Sequence, residues 1–202
     1  MGERKIQDRF NELDEKLRNV EGLREGTGND LLFYIFDYHP KDELLVRDEI
    51  LRLRKLYSHV VEFDLYQMLN KVIDDEGYLE LIHQREKEYP INILLDQMIG
   101  PLLGLGEDDN PIIKEFKDRV EDDGEHIVLI TGVGKAYPII RSHTILNTLH
   151  SVFKNNPVVM LYPGRYEKVK GNMILNLFEK LDDDNYYRAF PLVDRGGKKH
   201  AN

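Results

Sequence analysis

Apolar positions along this chain follow two rhythms. Residues 127–130 (Ile-Val-Leu-Ile) and 158–161 (Val-Val-Met-Leu) are apolar runs without a polar break, the pattern of strands covered on both faces of a parallel sheet. Residues 31–38 (Leu-Leu-Phe-Tyr-Ile-Phe-Asp-Tyr), which end before Pro40, and 59–65 (His-Val-Val-Glu-Phe-Asp-Leu) read as two further strands. We expect 33–38, 60–63, 127–130 and 158–161 to lie adjacent and parallel, because crossover helices link such continuous apolar runs. Between the last two, Pro138 suits a first helical position, and the helix should run to about Phe153 before Asn155-Asn156-Pro157 stops it. Strand, glycine turn, helix and strand make a βαβ unit.

The other rhythm is helical. Ile6, Phe10, Leu13, Leu17 and Val20 recur at steps of four, three, four and three, which predicts an amphipathic helix ending before Gly22. In the next helical stretch Val46, Ile50, Leu53 and Tyr57 share one face, while Leu44, Leu45, Leu51 and Leu56 spread apolar surface round the rest; the expectation is a helix buried on more than one side. Residues 66–120 are helical by pattern, punctuated by Gly77, Pro90, Gly100-Pro101 and the 104–111 stretch. This interval exceeds what a crossover needs, so a helical insertion of about 66–122 is expected within a single domain, with 104–111 as an acidic loop. Asp108 and Asp109 in that loop lack the spacing of a calcium site. Further on, 173–178 and 185–193 flank the acidic 179–184, which reads as a C-terminal β-hairpin, with Pro191 marking a sheet edge. Residues 195–202 are expected to form a disordered tail. The fold class is therefore α/β, a mostly parallel sheet flanked by helices.

Composition narrows the function. With 37 acidic against 28 Lys and Arg residues the formal charge is −9, which repels a phosphate backbone at long range and argues against duplex DNA as a direct ligand. There is no cysteine, hence no disulfide and no thiolate metal site. The N-terminus lacks the apolar core of a signal peptide and no run approaches a spanning helix, so a cytoplasmic location is expected.

The glycine turn after residue 130 invites a phosphate-binding reading. Gly132, Gly134 and Lys135 form a candidate anion site, since glycines admit backbone amides close to phosphate and a lysine neutralises it. The spacing does not complete either known loop: Leu129 stands where a Walker A loop has its first glycine, Ala136 where it has Ser or Thr, and Tyr137 where a dinucleotide fingerprint has its third glycine. A tight structural turn is the competing reading. Asp37 and Asp64 fall near the carboxyl ends of strands, where open α/β sheets bind ligands, although capping the next helix explains each as well. His143 and His150 lie two turns apart, roughly 10 Å, too far to share a metal, and Ser142 beside His143 cannot use it as a base. No catalytic residue, metal site or cofactor is expected. Positive charge gathers late, in Lys135, Arg141, Arg165, Lys168, Lys170 and Arg188, interleaved with Tyr137, Tyr162 and Tyr166; such a rim suits an acidic partner, a phosphate or single-stranded nucleic acid.

Several separated motifs together resemble a known family. They are Phe-Tyr-Ile-Phe-Asp-Tyr at 33–38 with Pro40, Leu-Ile-Thr-Gly-Val-Gly-Lys-Ala-Tyr-Pro at 129–138 followed by Ile-Arg-Ser-His at 140–143, Met-Leu-Tyr-Pro-Gly-Arg-Tyr at 160–166, and Tyr-Tyr-Arg-Ala-Phe at 186–190. The chain is similar over nearly its whole length to the BrxB family of bacterial BREX phage-defence systems. The resemblance implies a small non-enzymatic component of a system that restricts phage and methylates host DNA, alongside the alkaline-phosphatase-like PglZ, the adenine methyltransferase PglX and the large ATPase BrxC. It brings no catalytic residues. The implied role is an adaptor that binds PglZ, and Tyr162, Arg165, Tyr166, Tyr186 and Arg188 are the candidate partner-binding residues, being of the types that dominate interface energetics. A nucleotide-binding or hydrolysing protein using Lys135 and Asp37, and a nucleic-acid-binding module, are the alternatives.

Overall fold

The computed structural model describes residues 3–25, 32–104, 110–169, 172–183 and 189–196. All four apolar runs become neighbouring strands of one parallel sheet: β1 (Phe33–Tyr38), β2 (Val60–Asp64), β3 (Ile127–Thr131) and β4 (Val158–Val169), in the order β2-β3-β4-β1. Registers run Val60 beside Ile127, Val128 beside Val158, and Phe33 beside Val158. After β4 come β5 (Asn172–Leu177), β6 (Leu181–Asp183) and β7 (Phe190–Pro191). The last pairs in parallel with β1, so Pro191 does sit on an edge strand.

Strand side chains alternate between two cores. Tyr34, Phe36, Leu129 and Leu161 face α1 (Ile6–Leu17), α2 (Val20–Glu25) and α3 (Glu43–Leu56). Ile35, Val128, Ile130 and Met160 face the other layer. That layer is built from α4 (Leu65–Asp75), α5 (Leu79–Arg85), α6 (Ile91–Leu94), a π-helical stretch Leu95–Ile99, α7 (Gly100–Leu103), α8 (Pro111–Arg119), α9 (Val133–Ala136) and α10 (Ser142–Val152). From β1 to β2 the chain crosses the sheet over one face, and it returns through β3 and β4 over the other, as right-handed crossovers in opposite directions require. Within residues 66–122, α4 and α8 belong to this core layer through Met68, Leu69, Ile112 and Phe116. The stretch from α5 to α7 departs from a plain crossover and bounds a cavity of about 530 Å³ lined by Tyr78, Leu81, Arg85, Tyr89, Met98 and Leu102.

Five expectations change. The first helix stops at Leu17, and Gly22 lies inside α2, because the Asn19 side chain accepts a hydrogen bond from the Glu21 N–H at 2.9 Å and starts a new helix. Pro138 does not open a helix: the residue before a proline is driven to extended geometry, Tyr137 ends α9 there, the Tyr137–Pro138 bond is cis, and α10 begins at Ser142. The α3 helix is buried on one side only, with Leu44, Leu45, Leu51 and Leu56 exposed. The hairpin is made by β4 and β5, with β6 added to β5; of the expected second arm 185–193, residues 185–188 lie outside the described residues and Phe190–Pro191 pairs with β1. Its β5–β6 turn places Phe178 and Glu179 at φ 55° and 58°, geometry that usually calls for Asn or Gly, so no sequence signal marked it. Finally Arg195 is buried and Gly196 bridges Glu3, so the ordered chain extends into the expected tail.

Candidate functional site at the carboxyl edge of the sheet

Adjacent strands β4 and β1 hand the chain to different places, β1 to α3 on one face and β4 onward into the hairpin, while β2 and β3 lead to the opposite face. In open α/β sheets a crevice for ligand forms at such a point. Here the chain fills it. Arg9, only 2% exposed, donates from α1 to the Asp37 backbone carbonyl at 2.5 Å, to Asp37 Oδ1 at 2.9 Å and to the Val193 carbonyl at 3.1 Å. Its guanidinium lies 4.5 Å from the Phe36 ring centre. Burial pulls the Arg9 pKa down and Asp37 opposes that pull, leaving a charged pair held by geometry. Asp37 Oδ2 accepts from the Tyr166 N–H at 3.1 Å and stands 3.7 Å from Arg195 Nη1. Arg195 in turn donates to the Gly164 carbonyl at 2.6 Å and to Glu179 at 2.5 Å. Glu3 joins Arg165, which also lies 3.8 Å from Glu167.

A second ion pair closes the glycine turn. Lys135 Nζ donates to Asp64 Oδ2 at 2.5 Å, and Asp64 Oδ1 caps α4 by accepting from the Tyr66 and Gln67 N–H groups. The lysine charge is thus met inside the chain, while Glu62 accepts from Thr131 Oγ1 at 2.6 Å and pairs with Arg54. Gly132 adopts φ 72°, and a Cβ there would stand 2.2 Å from Asp64 Oδ1; one on Gly134 would stand 2.8 Å from the Phe178 ring. Packing against Asp64 and Phe178 accounts for both glycines without a phosphate. The capping reading holds for Asp64, whereas Asp37 is the anchor of a buried charge cluster.

The candidate partner-binding residues do not form one exposed patch. Tyr162 and Tyr166 are buried, the latter donating its hydroxyl to the Ala189 carbonyl at 2.8 Å, so both are interior residues. Arg165 is half-buried and ion-paired. Tyr186 and Arg188 lie outside the described residues, as do Lys170, Asp108 and Asp109. Of the remaining rim, Arg141 and Lys168 are exposed. The His150 ring packs on Phe33 with centres 3.9 Å apart, the polar edge of a packed helix. Among the described residues no group of three or more His, Asp or Glu is placed to hold a metal ion, and no helix is long and apolar enough to cross a membrane. Pattern reading missed Arg9 and Arg195. A signal for Arg9 existed, since it follows Ile6 by three and precedes Leu13 by four and so shares the buried face.

Residues 61–192, more than half of the chain, match the family described as BREX protein BrxB. The chain belongs to the BrxB family. A BREX protein BrxB of Bacillus cereus (strain H3081.97) is 39% identical over 199 residues, covering 95% of this chain and 100% of that protein. Another, of Escherichia coli O9:H4 (strain HS), is 31% identical over 195 residues, covering 95% and 90%. No solved structure matches. At 95% of this chain, both BrxB relatives extend beyond residues 61–192 over the N-terminal part that carries Asp37, so membership in BREX, a phage-defence system, applies to the whole sheet domain.

Proposed function

We propose that this chain is a non-enzymatic adaptor of a BREX system, docking other defence proteins, with the alkaline-phosphatase-like PglZ as its first partner and PglX and BrxC as further ones. One observation carries the reading: the edge where an α/β sheet of this kind does its chemistry is occupied by the chain's own Arg9, Asp37 and Arg195, while large apolar side chains stay exposed elsewhere. Leu79, Leu81, Tyr89 and Ile91 on the insertion are among them, and exposed apolar patches mark interaction surfaces. Family membership supports the same role.

The test is capture from the native operon. A tagged chain should retain PglZ, and Ile91→Asp or Tyr89→Ala should weaken retention if the insertion is the docking face, Arg165→Glu if the carboxyl edge is. Failure to retain any BREX protein, with defence intact, would refute the adaptor role. The nucleotide reading is checked by melting with ATP, GTP and magnesium: a ligand at a hundred times its dissociation constant stabilises by about 2.7 kcal/mol, and no shift is expected because Lys135 is already paired with Asp64.

A further inference from the structure

The α3 helix carries two sets of apolar residues. Val46, Ile50 and Leu53 are driven into the core, and Leu44, Leu45, Leu51 and Leu56 stand on its outward side at 70, 51, 52 and 57% exposure. Single exposed leucines are ordinary; four on one side of a 14-residue helix form a patch. Helical spacing resolves that side into two neighbouring rows: Leu44, Asp48, Leu51, Lys55, and Leu45, Glu49, Arg52, Leu56.

Reversed about a point near Leu51, both rows set leucine against leucine or opposite charges together, except Leu44, which falls beyond the paired stretch. Against a second copy running antiparallel, with a two-fold axis beside Leu51, the first row sets Asp48 opposite Lys55 and Leu51 opposite its equivalent. The second sets Leu45 opposite Leu56. A parallel pairing would instead oppose Asp48 to Asp48 and Lys55 to Lys55. Arg52 is already held by Glu49 at 2.6 Å and by Asp14, whereas Asp48 and Lys55 are exposed and without an ion-pair partner among the described residues. A surface shaped for a different protein needs no relation between its two halves, while an isologous contact demands one.

We infer that the outward face of α3 is a homodimer interface, two copies packing α3 against α3 antiparallel about a two-fold axis. This does not depend on the adaptor role. Sedimentation equilibrium of the full chain over a concentration series tests it. The wild type should fit a monomer–dimer equilibrium, and Leu51→Asp should raise the dissociation constant by roughly tenfold or more while leaving the melting temperature unchanged at concentrations where both proteins are monomeric, since Leu51 is exposed in the monomer. Asp48→Lys and Lys55→Asp should each weaken the dimer alone, and an equimolar mixture of the two variants should restore it, because each supplies the charge the other lost. A wild type monomeric up to about 1 mM, a dimer indifferent to Leu51→Asp, or single variants that fail to associate when mixed would overturn the inference. So would a monomeric wild type whose Leu51→Asp variant loses capture of another defence protein, since the face would then belong to that protein.

Discussion

Replacing Arg9 by Met keeps a side chain of similar length in the slot between α1 and the sheet while removing its charge and its three hydrogen bonds to Asp37 and Val193. Asp37 would then keep the Tyr166 N–H at 3.1 Å and Arg195 at 3.7 Å. Breaking a buried pair by deleting one partner costs about 3–5 kcal/mol, and the remaining contacts to Asp37 place the expected loss near the lower end, about 3 kcal/mol. For a chain of this size each kcal/mol moves the melting temperature by roughly 2–4 °C, so a drop of about 10 °C is expected in thermal melts at neutral pH. Asp37→Asn should cost a similar amount, and combining it with Arg9→Met should cost less than the sum, because the second change removes the charge that the first left unpaired. Urea titrations of the four proteins give the coupling. A melting temperature for Arg9→Met within about 2 °C of wild type, or strict additivity in the cycle, would show that this cluster does not hold the sheet edge together.

Gly164→Ala should destabilise by about 1–3 kcal/mol, because a Cβ there would lie 2.1 Å from the Asn176 backbone carbonyl oxygen and 2.8 Å from the Tyr162 ring; an unchanged urea midpoint would refute the close approach of β5. Acidification tests the contact between α1 and α3, where Tyr57, donating its hydroxyl at 2.5 Å, and then Arg52 hold the Asp14 carboxyl below its usual range. A depressed carboxylate pKa stabilises the fold above the unfolded value of about 4 and loses that contribution as pH falls through the lower folded value. The gap in melting temperature between wild type and Asp14→Asn should therefore close as pH drops below about 4, and a gap constant with pH would count against this pair.

The sequence was most legible where burial on two faces leaves no choice of residue. The runs at 127–130 and 158–161 could be read as strands because each residue meets a helix layer on one side or the other, so a polar residue would be buried unpaired. The sheet class, the number of central parallel strands and the absence of a complete phosphate loop all follow from such local patterns. The glycine turn shows the same limit in reverse: Gly132 and Gly134 announce only that a side chain cannot fit, and what occupies the space, Asp64 and Phe178 here, is a long-range fact.

What the tertiary structure decided are contacts between residues far apart in the chain. Arg9 meets Asp37 and the chain end at Val193, and Arg195 meets Gly164 and Glu179; no local rhythm encodes these partners, since a charged residue reads as solvent-facing until something buried is found to neutralise it. The same holds for α3, whose outward leucines are indistinguishable by periodicity from leucines under a second layer. The amino-acid pattern determines that a side chain is apolar or charged and on which side of its element it stands. Which elements arrive to cover that side depends on strand order and connection, and these are set by the balance of packing across the whole sheet.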